Sequence, residues 1–317
     1  MSKITQALEK AARERLQRLQ ETATTKVVAP VEMSIEPASR ISSLTSTEAE
    51  HIRVDPHIVA ATDPQSPIAE QYRILRTNLQ SLKLRAGSKV IVVTSAVHGE
   101  GKSVTSVNLA LTLARQENLR VVLIDADLRK PSVHRWLGMP VHDRGLATAL
   151  QDGGNLDGCL LKMKEPGLTL LPAGGHPEHP AELLESTNMR KILATLRAQF
   201  DVIIIDAPPV LPVADPGILA AQADGVLLVV RAGRTQRKTA SQAQALLTQM
   251  KANILGCVLT HVEYYLPGYY RYYHQYRYGV SKDKKDKDAR DAAKAAAPKS
   301  EKPVTATGES APTAKKK

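Results

Sequence analysis

The sequence predicts an α/β protein built on a doubly wound, mainly parallel β-sheet. Short apolar runs rich in valine and isoleucine alternate with segments whose apolar residues recur at helical spacing, and this alternation is typical of the fold. A glycine-containing loop follows the first of these runs, and carboxylates end two others, at Asp125 and Asp206. Because open parallel sheets bind ligands at the carboxyl ends of their strands, we expect the functional site at that edge.

The segment from Lys89 to Leu113 combines a strand, a loop and a helix. Val90–Thr94 is predicted to be a buried strand, Ser95–Gly101 a tight loop, and Val104–Leu113 a helix. With Gly-Lys-Ser between loop and helix, this is the P-loop arrangement, in which backbone amides and a helix N-terminus bind a polyphosphate. Ala96 stands where the common pattern begins with glycine. The sequence therefore departs from the strict pattern by one methyl group.

The loop and the first helical turn supply the candidate phosphate contacts. They are His98, Gly99, Glu100, Gly101, Lys102, Ser103 and Val104. We expect Lys102 to reach the β- and γ-phosphates and the Ser103 hydroxyl to bind Mg²⁺.

Two later strands carry carboxylates to the same edge of the sheet. Val121–Ile124 is a predicted strand that precedes Asp125 and Asp127, which can hold Mg²⁺ or accept a proton. The apolar run within residues 201–210 ends in Asp206, and this Walker B pattern delivers a carboxylate to a magnesium ion.

The remaining elements continue the βα series. Helices are predicted over residues 64–82, near Leu146–Leu150, over 187–199 and over Thr239–Met250, and strands over Leu168–Leu171, Gly225–Arg231 and Ile254–Thr260. Pro67 is suited to the first turn of the helix over 64–82. One apolar face of that helix is predicted to contain Ile68, Tyr72, Leu75 and Leu79.

Another face of the same helix carries Glu70, Arg73 and Arg76 at i+3 spacing. Such a row can be a solvated face laced by salt bridges. It can also be a subunit contact, since glutamate and arginine at fixed spacing can pair across protomers. Periodicity alone favours the solvated face.

Composition limits the functional classes. The chain has 317 residues and a formal net charge of +11, which suits nucleic acid or an anionic membrane surface. Part of the excess lies in residues 281–317, with 10 Lys and one Arg against four Asp and two Glu. No apolar run approaches the length of a membrane span. The two cysteines, Cys159 and Cys257, lie far apart in apolar surroundings and indicate a reducing compartment and no metal site.

Residues 1–20 form a predicted amphipathic helix with a basic polar face. Such a helix can dock on a partner or on a membrane surface, or it can be a marginal solvated helix. Residues 21–54 are rich in Thr, Ser, Glu and Pro without a sustained period, so we interpret them as a linker.

A tyrosine cluster occupies residues 263–279. It contains eight of the nine tyrosines of the chain: Tyr264, Tyr265, Tyr269, Tyr270, Tyr272, Tyr273, Tyr276 and Tyr278. With Arg271 and Arg277 between them, they can stack on single-stranded nucleic acid. They can equally be phosphate acceptors, or a low-complexity sticky tail. The stretch alone does not decide between these three interpretations.

Together these stretches resemble the bacterial tyrosine autokinases (BY-kinases) of exopolysaccharide loci. The resemblance covers about Asp55 to Gly279 and is carried by SAVHGEGKS, VVLIDADLRKP, VIIIDAPPV, the tyrosine cluster and the Glu-x-x-Arg-x-x-Arg row. The start, MSKITQALEKA, is similar to that of stand-alone kinases of such loci. The family usually has proline where this chain has His98. It commonly has asparagine near the end of the last strand, where this chain has Thr260. The second difference changes the adenine contact that the resemblance would otherwise imply.

The resemblance implies a P-loop NTPase of the deviant Walker, partition-ATPase-like superfamily. Partition and septum-positioning ATPases themselves have a lysine where Val97 stands, which argues against that relative class. The implied division of the chain is an N-terminal amphipathic helix and linker at 1–54, a P-loop kinase domain at 55–262, the tyrosine cluster at 263–279 and a disordered basic tail at 280–317.

The activity implied is transfer of the γ-phosphoryl group of ATP, with Mg²⁺, to the tyrosine cluster of a neighbouring subunit. The implied catalytic residues are Lys102, Asp125, Asp127 and Asp206, of which Asp127 is the candidate base. Ser103, Asp125 and Asp206 would hold Mg²⁺, and Arg129 would contact the acceptor side. Glu70, Arg73 and Arg76 would then join the subunits into a ring.

The implied role is control of exopolysaccharide polymerisation and export. The expected partners are an inner-membrane protein of the chain-length-determinant type and a tyrosine phosphatase, with no specific nucleic acid. The kinase would be cytoplasmic and peripheral at the inner membrane through its partner. The alternative is a P-loop ATPase switch that positions cargo or binds DNA or a membrane, and a regulatory scaffold that binds ATP without turnover is a third possibility.

Overall fold

The computed structural model describes residues 45–46, 54–82, 87, 89–163 and 167–262 of the 317-residue chain. The predicted N-terminal helix, the tyrosine cluster and the basic tail lie outside these ranges. The described residues include the P-loop and the aspartates predicted to form the site.

The described strands form one mainly parallel sheet, which confirms the predicted fold class. In chain order they are β1 Thr45–Ser46, β2 Lys89–Ser95, β3 Val121–Asp125, β4 Leu161–Lys162, β5 Thr169–Leu171, β6 Val202–Asp206, β7 Gly225–Arg231 and β8 Ile254–Thr260. Their order across the sheet is β1-β4-β5-β3-β6-β2-β7-β8. The β4–β5 pair is antiparallel, whereas the other pairs of this sheet are parallel.

Helices connect most of the strands in the described part of the chain. They are α1 Val59–Thr62, α2 Pro67–Ser81, α3 Lys102–Ala114, α4 Val133–Trp136, α5 Leu146–Gln151, α6 Pro180–Glu185, α7 Thr187–Gln199, α8 Asp215–Ala220 and α9 Arg237–Gln249. The longer ones agree with the predicted helices, and α1, α4, α6 and α8 were not predicted. No helix in the described ranges combines the length and the apolar character that crossing a bilayer requires.

Helix α2 begins where its sequence predicts. Pro67 occupies the first turn, and the Ser66 hydroxyl caps the helix by accepting a hydrogen bond from the Ala69 amide at 3.1 Å. The predicted apolar face is wrong at Ile68, whose side chain is 42% exposed. The buried stripe runs instead through Ala69 towards Leu79, which turns Ile68 to the solvent side.

The apolar core lies on both faces of the sheet, as a doubly wound fold requires. Side chains of β2 alternate: Val90 and Val92 join a cluster with helices α5, α7, α8 and α9. Ile91 and Val93 join a second cluster with α1, α2, α3 and α4. Both faces of the strand are therefore buried, which explains its unbroken apolar run.

The cysteines differ in their surroundings. Cys159 is buried, as expected, but Cys257 is exposed, so the expectation of apolar surroundings is wrong there. Cys257 lies on β8, which ends the sheet and pairs with β7 in the described chain. An edge strand covers its side chains less completely than a central one.

The strand register assembles the predicted site. Asp206 at the end of β6 is paired with Asp125 at the end of β3 and with Val93 in β2, two residues before the P-loop begins. The carboxyl ends of three adjacent strands therefore meet at one edge of the sheet.

Candidate active site

The P-loop backbone requires glycine at two positions. Gly99 has φ 80° and Gly101 has φ 95°, in the left-handed region that side chains with a Cβ atom rarely adopt. A Cβ atom on Gly101 would also lie 3.3 Å from Cγ2 of Thr260. The loop therefore keeps its shape against the end of β8 because Gly101 has no side chain.

The loop presents free amides to the site. Helix α3 begins at Lys102, so the backbone N–H groups of its first turn have no intrahelical acceptor. Within the described ranges, the N–H groups of residues 98–104 form no hydrogen bond. Unpaired amides at the start of a 13-residue helix fit a polyphosphate.

Lys102 joins the aspartates of two strands. Its Nζ atom lies 2.8 Å from Oδ2 of Asp127 and 3.4 Å from Oδ2 of Asp206. The Ser103 hydroxyl donates to Asp206 Oδ2 at 2.6 Å, and the Ser106 hydroxyl donates to Oδ1 at 3.0 Å. The predicted lysine, serine and Walker B aspartate are therefore in direct contact.

Asp125 is held by backbone amides. Its Oδ2 accepts hydrogen bonds from the amides of Ser132 and Val133 at 3.1 and 3.0 Å, and its Oδ1 accepts one from the Asp127 amide at 3.3 Å. The Ser132 hydroxyl in turn lies 3.1 Å from the Ser103 hydroxyl. Asp125 thus fixes the turn that follows β3 and approaches Ser103 through Ser132.

The buried aspartates have perturbed pKa values. Burial, with the nearby charge of Asp206, raises the pKa of Asp125 to about 7. Burial also raises the pKa of Asp206, although Lys102 opposes the change. For Lys102 itself burial favours the neutral form, but the charges of Asp206 and Asp127 outweigh it and raise the pKa above its ordinary value. A single ammonium thus faces several buried carboxylates, a surplus of negative charge that a divalent cation relieves.

The oxygen donors suit Mg²⁺. Carboxylates and a serine hydroxyl are the ligand types that this hard cation prefers. The described residues contain no group of three or more His, Cys, Asp or Glu side chains that could hold a metal unaided. Nucleotide-bound Mg²⁺ needs only one or two carboxylates besides phosphate oxygens, so Ser103 and Asp206 fit the role, with Asp125 behind them.

Glu100 faces away from the phosphate-binding amides. Its side chain is buried, with Oε2 accepting the Val97 amide at 2.9 Å and Oε1 accepting the Thr235 hydroxyl. Its backbone oxygen accepts the Thr260 hydroxyl at 2.7 Å. The carboxylate therefore supports the loop from inside, and only the backbone amide of Glu100 is free to contact a phosphate. The His98 side chain is exposed.

Arg129 pairs with an aspartate that sequence reasoning missed. Its Nε and Nη2 atoms donate to the Asp215 carboxylate at 2.8 and 3.0 Å. Hydrogen bonding to this carboxylate raises the pKa of Arg129. Asp215 is separated from Arg129 by 86 positions in sequence, so no local motif links them. The helix that Asp215 begins has only six residues and was not predicted, so the sequence offered no signal for this contact.

The predicted subunit-contact row lies on α2 and forms contacts within the chain. Glu70 pairs with Arg73, which also donates to the backbone oxygen of Pro64. Arg76 donates through Nη1 to the backbone oxygen of Thr112 in α3 at 3.3 Å. Its Nε is buried and has no partner in the described chain.

Comparison with known proteins agrees with this geometry. The AAA domain family matches residues 88–254. Tyrosine-protein kinase YwqD of Bacillus subtilis (strain 168) is 38% identical over 224 residues, which cover 69% of this chain and 92% of that protein. The putative tyrosine-protein kinase EpsB of Ralstonia solanacearum is 36% identical over 225 residues, which cover 70% of this chain but only 29% of EpsB.

A solved structure gives the same result. The kinase domain of the Escherichia coli tyrosine kinase ETK superposes with a TM-score of 0.61 at 28% identity, covering 68% of this chain and 83% of that one. The resemblance inferred from the motifs is thereby confirmed, as is the expectation of an enzyme. By its P-loop site, its relatives and its fold, the chain belongs to the bacterial tyrosine-protein kinases.

Proposed function

We propose that this kinase transfers the γ-phosphoryl group of ATP to the tyrosine cluster at 263–279 of a neighbouring subunit. The observation that carries the proposal is the meeting of Lys102, Asp127 and Asp206 beside the free P-loop amides. Phosphoryl transfer depends mainly on positioning and on stabilisation of charge. This arrangement offers both.

The loop binds the phosphates through the amides of residues 98–104, and Lys102 neutralises charge on the phosphoryl oxygens. Asp127 and Asp206 pair with Lys102 and keep its ammonium charged at the place where the phosphates would bind. Mg²⁺, when bound, supplies further charge neutralisation at the phosphate oxygens. Ser103 and Asp206 would hold the ion, with Asp125 fixing the neighbouring turn.

Asp127 is our candidate base for the acceptor tyrosine. A phenol has an ordinary pKa of about 10, so a nearby carboxylate assists loss of its proton as the new bond forms. Asp127 lies beyond the end of β3, whereas Asp125 and Asp206 are paired residues of the sheet. It receives hydrogen bonds only from Lys102 and the Lys130 amide among the described residues.

The cellular role that we propose is control of exopolysaccharide polymerisation and export. The basic helix predicted at residues 1–20, or the domain itself, would dock on an inner-membrane protein of the chain-length-determinant type. The kinase would thus work in the cytoplasm at the inner membrane. A tyrosine phosphatase would reset the cluster. The relatives named as tyrosine-protein kinases support the activity. The resemblance of the motifs to kinases of exopolysaccharide loci supports the cellular role.

A mixing experiment tests transfer between subunits. A Lys102→Met protein, which keeps its tyrosines, is mixed with a protein in which all eight cluster tyrosines are replaced by phenylalanine. Neither should gain phosphate alone with MgATP. In the mixture, phosphopeptide mapping should find phosphotyrosine in residues 263–279 of the Lys102→Met chain. A mixture without phosphate, despite an active wild-type protein, would contradict transfer between subunits. ATP hydrolysis by wild type without phosphotyrosine would favour the ATPase switch.

A further inference from the structure

The Arg129–Asp215 pair lies near the site and has no part in the proposed chemistry. Asp215 is fully buried, whereas the Arg129 side chain is 40% exposed. Both hydrogen bonds that described residues donate to the Asp215 carboxylate come from Arg129, in a bidentate arrangement. Such a pair fixes orientation as well as distance.

The pair connects the two segments that follow the aspartate-bearing strands. Arg129 lies two residues after Asp127, in the turn that leaves β3. Asp215 begins α8, which follows β6 and its terminal Asp206. Near the strands the Ala126 amide donates to the Asp206 backbone oxygen at 2.9 Å. The Arg129–Asp215 pair adds a second connection farther along the same turn.

Asp127 itself has few fixed contacts. Its Oδ1 accepts the Lys130 amide at 3.0 Å within the turn, and its Oδ2 contacts Lys102 Nζ at 2.8 Å. In the proposed function Lys102 serves the phosphates. Among the described residues, the side-chain contact between Arg129 and Asp215 holds the turn from outside independently of Lys102, and it lies nearer to Asp127 in sequence than the contact between the Ser132 and Ser103 hydroxyls.

We propose that Asp215 is a positioning residue that acts through Arg129 to hold Asp127 in place for the acceptor tyrosine. The inference rests on the proposed role of Asp127 as the base. It assigns Arg129 to the turn rather than to the acceptor. Removing either partner releases the turn while leaving the P-loop and the Walker B aspartate intact.

The chain contains a matched control pair. Arg120 and Asp201 also form a bidentate pair, with Nε–Oδ2 and Nη2–Oδ1 distances of 3.1 and 2.8 Å. They precede β3 and β6, the same two strands, at the opposite edge of the sheet. Loss of this pair removes a bidentate ion pair between the same two strands, although a more exposed one, without touching the site.

The test measures single-turnover autophosphorylation of the full chain against ATP concentration. Asp215→Asn and Arg129→Met should each lower the maximal rate by about tenfold or more, because small misplacement of a reacting group is costly. The half-saturating ATP concentration should change by less than about twofold. Arg120→Met and Asp201→Asn should leave both quantities at wild-type values.

A double variant addresses folding. Asp215→Asn alone leaves a guanidinium without its partner and can destabilise the chain. Arg129→Met with Asp215→Leu replaces the pair by apolar groups, which is often tolerated. Its thermal unfolding should match the control variants. Its maximal rate should be no lower than that of either single variant, because the residues act as one unit.

The outcomes separate this inference from the function on which it rests. A wild-type protein that gains no phosphotyrosine contradicts the proposed function. If wild type is active and Asp215→Asn keeps the wild-type rate, the positioning role is wrong. If only Arg129→Met lowers the maximal rate, Arg129 acts directly, and the positioning role of Asp215 is again wrong. Losses that add in the double variant contradict action through a single pair.

Discussion

Asp127 differs from Asp125 and Asp206 in what its carboxylate contacts. Asp125 is held by backbone amides, and Asp206 by the hydroxyls of Ser103 and Ser106. Asp127 is bound chiefly to Lys102. We therefore propose Asp127 as the residue that accepts the phenol proton, and Asp125 and Asp206 as the residues that support the turn and Mg²⁺.

We expect Asp127→Asn to separate binding from turnover. The amide cannot accept the phenol proton, so the autophosphorylation rate should fall by about 10²-fold or more. Nucleotide affinity should stay within a few-fold of wild type, because the P-loop amides and Ser103 are unchanged. Calorimetric titration and single-turnover kinetics measure the two quantities. Equal losses in both would make Asp127 chiefly a magnesium ligand.

Gly101→Ala tests the shape of the loop. The substitution places a Cβ at positive φ and 3.3 Å from Thr260, a strain of about 1–3 kcal/mol. Nucleotide affinity should fall by about tenfold or more. The control is Gly153→Ala, which has φ 64° but no atom within 4 Å of the new Cβ. Equal nucleotide affinity of the two variants would mean that the backbone conformation of Gly101 and its closeness to Thr260 do not matter for nucleotide binding.

At the scale of elements, β7 and β8 support the P-loop from the side. Thr235, shortly after β7, and Thr260, at the end of β8, both donate hydroxyl hydrogen bonds to Glu100. Arg231 of β7 also donates through Nη1 to the Gly99 backbone oxygen at 3.3 Å. The loop is therefore held by neighbouring strands as well as by its own backbone.

Thr235→Val removes one of these supports. A buried carboxylate oxygen of Glu100 loses its hydroxyl donor, which costs about 1–3 kcal/mol in the free energy of unfolding. Nucleotide affinity should fall with it, because the loop loses its brace. Thr248→Val is the control, since among the described residues that hydroxyl donates only to the Gln244 backbone oxygen within α9. Urea unfolding and nucleotide titration are the measurements, and unchanged stability and affinity would argue against the brace.

Sequence patterns predict the long elements better than the short ones. Strands β7 and β8 were predicted with the bounds observed, because each is an apolar run with clear ends. Helices α1, α4, α6 and α8 contain only four to six residues, too few to show a helical period. Strands β1 and β4 have two residues each. They are recognised only by their hydrogen-bonded pairing with neighbouring strands, so the sequence pattern does not predict them.

The same distinction holds for the site. Lys102, Ser103 and the aspartates were found because each belongs to a contiguous motif or ends an apolar strand. Thr235 and Asp215 were missed because they meet their partners across 135 and 86 positions. Such contacts depend on the order of strands in the sheet. Neither residue type nor spacing reveals them.

At the scale of the whole molecule, we propose that Glu70, Arg73 and Arg76 join subunits into a ring that opens on phosphorylation. The cluster at 263–279 has a formal charge of +1 from Arg271, Arg277 and Glu263. Each phosphotyrosine adds about −1.5 to −2. A tail made strongly negative should leave a site that already contains phosphates and carboxylates, so the contacts between subunits are lost.

Light scattering tests this assembly. Unphosphorylated Lys102→Met protein should be a larger oligomer than wild type after MgATP. Arg73→Ala with Arg76→Ala should reduce its mass to that of a monomer, whereas Arg190→Ala, an exposed arginine on α7, should not. Equal masses before and after phosphorylation would rule out phosphorylation-controlled assembly.

The intact mass of the full-length protein before and after MgATP tests whether the P-loop site phosphorylates the tyrosine cluster. Wild type should gain several phosphates, which peptide mapping places within residues 263–279. Lys102→Met should gain none, while Lys191→Met, an exposed lysine on α7, should match wild type. Circular dichroism should show all three folded alike. Undiminished tyrosine phosphate on the Lys102→Met protein would contradict the assignment of the P-loop as the kinase site.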